Sequence, residues 1–488
     1  MPKPIISLIQ HNERDGAPLY RQVYRQLREH ILRGALPRGA RLPSARALAK
    51  DLKLSRNTIE GALGQLEAEG FLMRRVGAGT FVADTLPSLE SPPPRQLKQL
   101  ASRLPGLSRR GRTIAELGTS EIEANTQVGN CSTDVELFPV DQWNRLLARR
   151  ARRGGSETLL PTSSAGMQPL RQAIAEYLRL ARGVQCEADQ VLVVSSTQQT
   201  IDLCARLLLE PGATALMEEP GYPSAHAALR AAGVAVKGVP VDEEGLVVDA
   251  IPARSGANLI YVTPSNQYPL GMAMSLRRRI ELLRWASANG CYILEDDYDS
   301  EFHYEGRPLA SMQGLDVGGL VVYAGTFNKV LFPGIRLAYL VAPPNLVDAF
   351  TAGRRLLDGY SSPLVQLTLA DFISEGHFTT HLRTARQHYA VRRDLLTSLA
   401  PETLGPQVRL SPATTGLNIA AHFRPGTDDQ RIARSVPYAP GNIILTPLSH
   451  YYLSSDPQPG LLLAFGAATL PGIRRTMEAL GSRLRFRR

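Results

Sequence analysis

Apolar residues recur every four positions at Leu19, Val23, Leu27 and Ile31, a spacing that predicts an amphipathic helix, with Gly34 to stop it. Ser44 suits the N-cap of a second helix running through Leu52, and Ser55 that of a third running to about Glu69. Only a few residues join these two helices, as a helix-turn-helix requires. Beyond Gly70, Phe71–Arg75 and Thr80–Ala83 flank Val76-Gly77-Ala78-Gly79, which reads as a basic strand, a glycine turn and a returning strand, or wing. The pattern then lapses. Residues 87–112 hold Pro87, Pro92, Pro93, Pro94 and Pro105 among scattered Arg and Ser, too little apolar surface to fold alone, so this segment is expected to be a linker. From about residue 113 short apolar runs at Val191–Val194, Thr214–Glu218, Leu259–Thr263, Tyr292–Glu295 and Leu320–Ala324 alternate with helical stretches. That alternation predicts an α/β domain with a largely parallel sheet covered by helices.

Charge sharpens this division. Residues 1–86 carry 14 Lys/Arg against 8 Asp/Glu and residues 87–112 carry 6 against 1, whereas the remainder is close to neutral at −1. The whole excess of +10 therefore sits in the first quarter of the chain, where a polyanion is the natural partner. A length of 488 residues suits a small module plus a large one. No run of about 18 apolar residues suggests a membrane span, and the N-terminus lacks a signal-peptide cleavage pattern. Cys131, Cys186, Cys204 and Cys291 are widely spaced with no CxxC pair, which argues against a disulfide framework or a metal site and for a cytoplasmic protein.

In the N-terminal block, residues 1–86, Arg56, Asn57 and Thr58 supply polar groups at the start of the third helix, where a recognition helix meets base edges. The runs Arg41-Leu42-Pro43-Ser44-Ala45-Arg46, Leu52-Lys53-Leu54-Ser55-Arg56-Asn57-Thr58, Leu66-Glu67-Ala68-Glu69-Gly70 and Gly77-Ala78-Gly79-Thr80-Phe81-Val82 together resemble the GntR-type winged helix-turn-helix. The resemblance implies that Arg41, Ser44 and Arg46 meet phosphate or bases of double-stranded DNA. It likewise implies that Arg56 and Thr58 enter the major groove, with Arg56 the first choice for a guanine and Ser55 and Asn57 beside them among the DNA-binding residues. Gly79 would let the wing backbone approach the minor groove. Phosphate contacts position such a protein, and base contacts carry sequence information.

In the C-terminal block, residues 113–488, the informative segment is Tyr323-Ala324-Gly325-Thr326-Phe327-Asn328-Lys329-Val330-Leu331-Phe332-Pro333-Gly334-Ile335-Arg336. A lysine following a strand and a small-residue turn, with an arginine seven residues on, suits a pyridoxal 5'-phosphate (PLP) anchor. Lys329 would bond to the aldehyde, and Thr326 and Arg336 would grip or flank the phosphate. The cofactor's pyridine nitrogen needs a carboxylate partner. Asp296 at the end of the strand Tyr292–Glu295 is the candidate, with Tyr298 for the 3-hydroxyl, since ligands of open α/β sheets lie at the carboxyl ends of strands. The junction Ser195-Ser196-Thr197-Gln198-Gln199 offers hydroxyls and free N–H groups at a helix start, with Thr197 and Gln198 placed for phosphate. Tyr222 is the candidate for stacking on the ring. These segments, with Gly166-Met167-Gln168-Pro169-Leu170-Arg171 and Thr263-Pro264-Ser265-Asn266-Gln267-Tyr268-Pro269-Leu270-Gly271, resemble fold-type I aminotransferases over roughly residues 125–485. The resemblance implies the same roles for Lys329, Asp296, Tyr298 and Arg336.

A GntR-type head on an aminotransferase-like body resembles the MocR subfamily of transcription regulators. That resemblance implies a head-to-tail homodimer in which PLP, an amine or an amino acid acts as effector through Lys329. The body would be a sensor and not a turnover enzyme, the alternative being an active aminotransferase with an accessory DNA-binding module. Two departures stand out. Asn266 replaces a histidine frequent in the family, and Leu462 occupies the position where amino-acid aminotransferases carry an arginine for the substrate carboxylate. Arg354, Arg383 and Arg386 are near only in sequence order, and none is assigned as its substitute.

Overall fold

The computed structural model describes residue 9 and residues 17–75, 77–84, 106–125, 133–306, 310–453 and 456–485. The chain divides into two compact units, Met1–Gly106 and Leu107–Arg488. Cys131, Val76 and most of the proline-rich stretch lie outside the described residues.

The first unit follows the periodicity closely. Helix α1 is Leu19–Leu32, strand β1 Arg41–Leu42, α2 Ala45–Leu52, α3 Arg56–Ala68, β2 Leu72–Arg75 and β3 Gly79–Val82. Ser44 Oγ accepts from Ala47 N at 3.2 Å and Ser55 Oγ from Thr58 N at 3.1 Å, so each expected cap satisfies one orphan donor of its helix. Strand β1 was not anticipated. It pairs antiparallel with β3, Arg41 opposite Phe81 and Leu42 opposite Thr80, giving a sheet ordered β1-β3-β2. Val23, Leu27 and Ile31 of α1 bury against Leu48, Ile59, Leu63 and Leu66, with Leu72 and Val82 closing the core from the sheet. Because this core is self-contained, Leu27→Ala should destabilise the head by ~2–5 kcal/mol. Hydrogen exchange should show faster exchange of the amides of α1–α3 and unchanged protection of the body.

The second unit is built on an eight-stranded sheet. Its strands are β4 Val191–Val194, β5 Thr214–Glu219, β6 Ala235–Asp242, β7 Gly245–Leu246, β8 Ala257–Val262, β9 Tyr292–Asp297, β10 Val321–Thr326 and β11 Ala338–Val341. They lie in the order β4-β11-β10-β9-β8-β5-β6-β7. Strands β10, β9, β8, β5 and β6 are mutually parallel, β11 runs antiparallel to both its neighbours, and β7 closes one edge as a hairpin with β6. The five apolar runs read from sequence are β4, β5, β8, β9 and β10. Strands β6, β7 and β11 were not read. Helices pack on both faces over separate apolar clusters, one containing Val193, Tyr323 and Phe372, another Ile201, Met217 and Leu229. The C-terminal part adds an antiparallel sheet, also unread, of β12 Arg409–Leu410, β13 Asn418–His422, β14 Ile444–Pro447 and β15 Gly460–Ala464 in the order β12-β13-β15-β14. The linker expectation needs adjustment at its end. Arg109–Arg112 form the first turn of the helix Arg109–Asn125, and Arg110 Nε donates to Ala231 O at 3.0 Å inside the body. Among the described residues, no helix is long and apolar enough to cross a membrane.

Candidate functional site

The parallel strands all end at one edge of the large sheet, and the loops leaving that edge enclose a cavity of about 650 Å³. Lys329, Asp296, Tyr298 and Arg336 line it, and so do Thr326, Tyr222, Thr197 and Gln198. All eight residues proposed from sequence for a cofactor are thus brought together, although they span residues 197–336 of the chain.

Strand β9 sorts three consecutive carboxylates by side. Glu295 accepts from the backbone N–H groups of Met312 and Gln313, both at 2.9 Å, and Asp297 accepts from Arg182 Nε at 2.8 Å and from Tyr323 OH at 2.6 Å. Asp296 alone of the three lines the cavity. Its Oδ2 accepts from Tyr261 OH at 2.7 Å, while its buried Oδ1 has no partner. Burial pushes the Asp296 carboxyl up to about 7, against the pull of the Tyr261 bond and of Lys329. An unpaired carboxylate oxygen on the wall of a cavity is a seat for a protonated nitrogen, so the residues present fit the pyridine ring of PLP.

The proton on this carboxyl has a thermodynamic consequence. With the folded value raised above the usual ~3.9, the neutral form stabilises the fold, and this contribution is lost as pH rises through about 7. Asp296→Asn stays neutral and can still accept from Tyr261. Without cofactor, it should melt a few degrees above the wild type at pH 8, the gap narrowing steadily toward pH 5. A gap independent of pH would refute the assignment.

Lys329 sits on the turn after β10. Its Nζ lies 4.7 Å from the Tyr298 ring centroid and 5.5 Å from that of Tyr268. Thr133 Oγ1 donates to Lys329 O at 2.6 Å, and Asn328 ties the turn down by donating to Ser195 O and accepting from Leu337 N, each at 3.1 Å. Arg336 follows in the left-handed region at φ 50°, a conformation that non-glycine residues keep only where the surrounding structure imposes it. On the facing junction, Ser196 caps the helix Thr197–Leu208 and accepts from Gln199 N, so the first N–H groups of that helix border the cavity. Asn266 Nδ2 donates to Tyr298 OH at 3.0 Å and to Asp299 Oδ1 at 2.8 Å. Leu462 is buried on β15 among Leu270, Ala420, Leu448 and Tyr451. Of the arginines near it in sequence order, Arg354 is fully buried, paired with Asp358 and donating to Val193 O and Ser361 Oγ, and Arg386 donates to Glu301 O. Arg383 is exposed. Tyr261, Tyr268 and Asn328 escaped the sequence reading. Asn328 and Tyr268 lie in the two motifs that resemble the aminotransferases and Tyr261 in the apolar run Leu259–Thr263, but none carries a local signal of its role, and the tyrosines become neighbours of the site through the register of β8 and the loop after it.

On the first unit, Arg41, Ser44, Arg46, Ser55, Arg56 and Asn57 are exposed, while Thr58 is half-buried with its hydroxyl 2.8 Å from Ser55 Oγ. Arg56 opens α3 and reaches only a 4.0 Å contact with Glu60. Gly79 adopts φ +114°, and a Cβ there would stand 3.1 Å from Arg41 Nε, so the absent side chain is what lets Arg41 lie against the wing.

Comparison with known proteins agrees with this division. Residues 19–82 match the gntR family of bacterial regulatory proteins, and residues 124–429 match aminotransferase class I and II. The chain is 38% identical over 475 residues, covering 96% of itself and 94% of the relative, to the probable rhizopine catabolism regulatory protein MocR of Rhizobium meliloti. The chain belongs to the MocR family. As a MocR-type protein it is a DNA-binding transcriptional regulator carrying an aminotransferase-like domain. A second relative in this family is the pyridoxine biosynthesis regulator PdxR of Corynebacterium glutamicum, 30% identical over 93% of this chain and 94% of its own. Among solved structures, an archaeal alanine:glyoxylate aminotransferase superposes with a TM-score of 0.70 at 22% identity, over 78% of this chain and 98% of that one. A kynurenine aminotransferase of Pyrococcus horikoshii gives 0.69 at 22% identity, over 80% and 96%. These likenesses establish the fold of the MocR-type body.

Proposed function

We propose that the body holds PLP at Lys329 and that its occupancy by a small molecule sets how the N-terminal head engages an operator in double-stranded DNA. The observation that carries this reading is the cavity in which Lys329 and the unpaired Oδ1 of Asp296 share one wall system with Thr326 and Arg336. When bound, the cofactor supplies an aldehyde for primary amines and a protonated ring that withdraws electrons. Asp296 holds the proton at the ring nitrogen. Tyr298 accepts a hydrogen bond from Asn266 and so has its own proton to give to the ring oxygen. Thr326, Arg336 and the helix start at Thr197 and Gln198 receive the phosphate, where oriented N–H groups favour an anion. Tyr222 covers the ring face.

On the DNA side, Arg41, Ser44 and Arg46 bind phosphate or bases, Ser55, Arg56, Asn57 and Thr58 present the major-groove edge of α3, and the wing at Gly79 follows the minor groove. The protein works as a head-to-tail homodimer in the cytoplasm, with residues 1–86 as head, a linker after it and the body to residue 488. Burial of Cys186, Cys204 and Cys291 as free thiols is in keeping with a reducing compartment. A ligand can shift the head only by binding one conformation of the body better than another.

The test uses a duplex selected from a random pool on the full-length, PLP-loaded chain. Adding the effector should change its affinity at least several-fold, and an affinity indifferent to PLP and to a panel of amines and amino acids would overturn the sensing role.

A further inference from the structure

The cavity is unevenly equipped for charge. Among the described residues that line it, Lys329 and Arg336 are the only cations, and the reading above commits both to the cofactor. Three carboxylates line the same space, Asp202, Asp296 and Asp358. Just behind it Glu218 accepts from Thr263 Oγ1 at 2.6 Å and Asp299 from Asn266, both carboxylates deeply buried. A second anion entering here would find no cation free to pair with it, since Arg206 and Arg354 are themselves taken by Asp202 and Asp358, and an unpaired anion costs far more in a desolvated pocket than in water.

What the cavity does offer is aromatic. Tyr268 stands edge-on to Tyr222, Tyr298 and Tyr451, with ring centroids 5.6, 5.6 and 5.3 Å away. The Lys329 ammonium already rests against two of these faces, the geometry in which aromatic rings attract organic cations. Behind Tyr268, Leu462 at 3% exposure packs with Leu270, Ala420 and Leu448 into a small apolar cluster. The described lining itself is tyrosine-rich, with Leu357 beside it, and behind Tyr268 the Leu462 cluster places no cation where a carboxylate would need one.

We infer that the effector is a primary amine without a carboxylate, its ammonium entering the tyrosine cage beside Lys329 and its body lying against Tyr268, whose other side packs on the Leu462 cluster. This rests on the cofactor reading given above and narrows it, setting amines apart from amino acids.

Matched pairs that differ only in the carboxylate provide the test. The full-length, PLP-loaded protein is titrated with phenethylamine against L-phenylalanine and with isopentylamine against L-leucine. Cofactor absorption and the shift in melting temperature report binding. In each pair the amine should bind at least tenfold more tightly. Leu462→Arg, scored only if it keeps the wild-type cofactor spectrum, should narrow or invert that preference. Amino acids binding as well as the amines, or neither class perturbing the cofactor, overturns this inference and leaves the cofactor reading standing. A chain whose absorption does not depend on Lys329 removes the cofactor reading itself, and this inference with it.

Discussion

Lys329→Ala should leave the protein folded and colourless. In the wild type, added PLP should produce a visible absorption band, and borohydride reduction followed by peptide mapping should place the cofactor's mass on residue 329. The variant should show neither. The reason is geometric as much as chemical. The lysine turn is held by its backbone and by Asn328, through Thr133 to Lys329 O and through Asn328 to Ser195 O and Leu337 N, none of which involves the lysine side chain. Removing the amine therefore takes away the covalent anchor and spares the loop, and the variant should melt near the wild type without cofactor. DNA should still be bound, because the head has its own core, but binding should no longer respond to amines. An unmodified residue 329 in the reduced wild type would sink the sensor reading and leave a DNA-binding regulator with an unknown trigger.

Arg56→Ala should abolish most sequence discrimination while leaving the head stable. Arg56 begins α3, its side chain is 70% exposed, and its nearest acid, Glu60, is 4.0 Å away, so little holds it back from a base edge. A bidentate contact to guanine is worth ~1–3 kcal/mol of discrimination. The preference for the selected duplex over random DNA should fall by about 10- to 100-fold, measured by competition at fixed salt. Ser55 still caps the helix, and a cation at a helix N-terminus adds no stability, so melting of the head should not change. Arg41→Ala should instead weaken selected and random duplexes alike, with a shallower salt dependence. Unchanged discrimination in the Arg56 variant would remove it from the base-reading role.

These expectations differ in how far they could be read without coordinates. The helix-turn-helix was legible because its determinants are local. Two serine caps, an apolar repeat of four and a glycine turn each act within a few residues, and the observed α2, α3, β2 and β3 fall within a residue of the limits they imply. Strand β1 was not legible, since Arg41 and Leu42 become a strand only by pairing with Phe81 and Thr80, some forty residues on. The same holds in the body. Buried parallel strands announce themselves as apolar runs, whereas β6, half-buried along most of its length, and the two-residue β12 do not, and short buried runs such as β11 and β15 cannot be told from helix segments by periodicity.

The candidate cavity shows the same division. Residue chemistry and order along the chain were enough to nominate Lys329, Asp296, Tyr298, Arg336, Thr326, Tyr222, Thr197 and Gln198, because a strand end followed by a particular donor or acceptor is a local pattern. They singled out Asp296 without showing what occupies its neighbours Glu295 and Asp297. That depended on the pleat of β9 and on which neighbours its two faces meet, Tyr261 on one side and Arg182 with Tyr323 on the other. Nor could the one-dimensional pattern reveal that Tyr268 joins the site to the apolar cluster around Leu462, or that Arg354 is committed elsewhere. Short-range preferences of capping, periodicity and turn chemistry are written into consecutive residues. The balance of charge inside a cavity is set by side chains from distant strands and loops, and it exists only once packing has brought them within reach of one another.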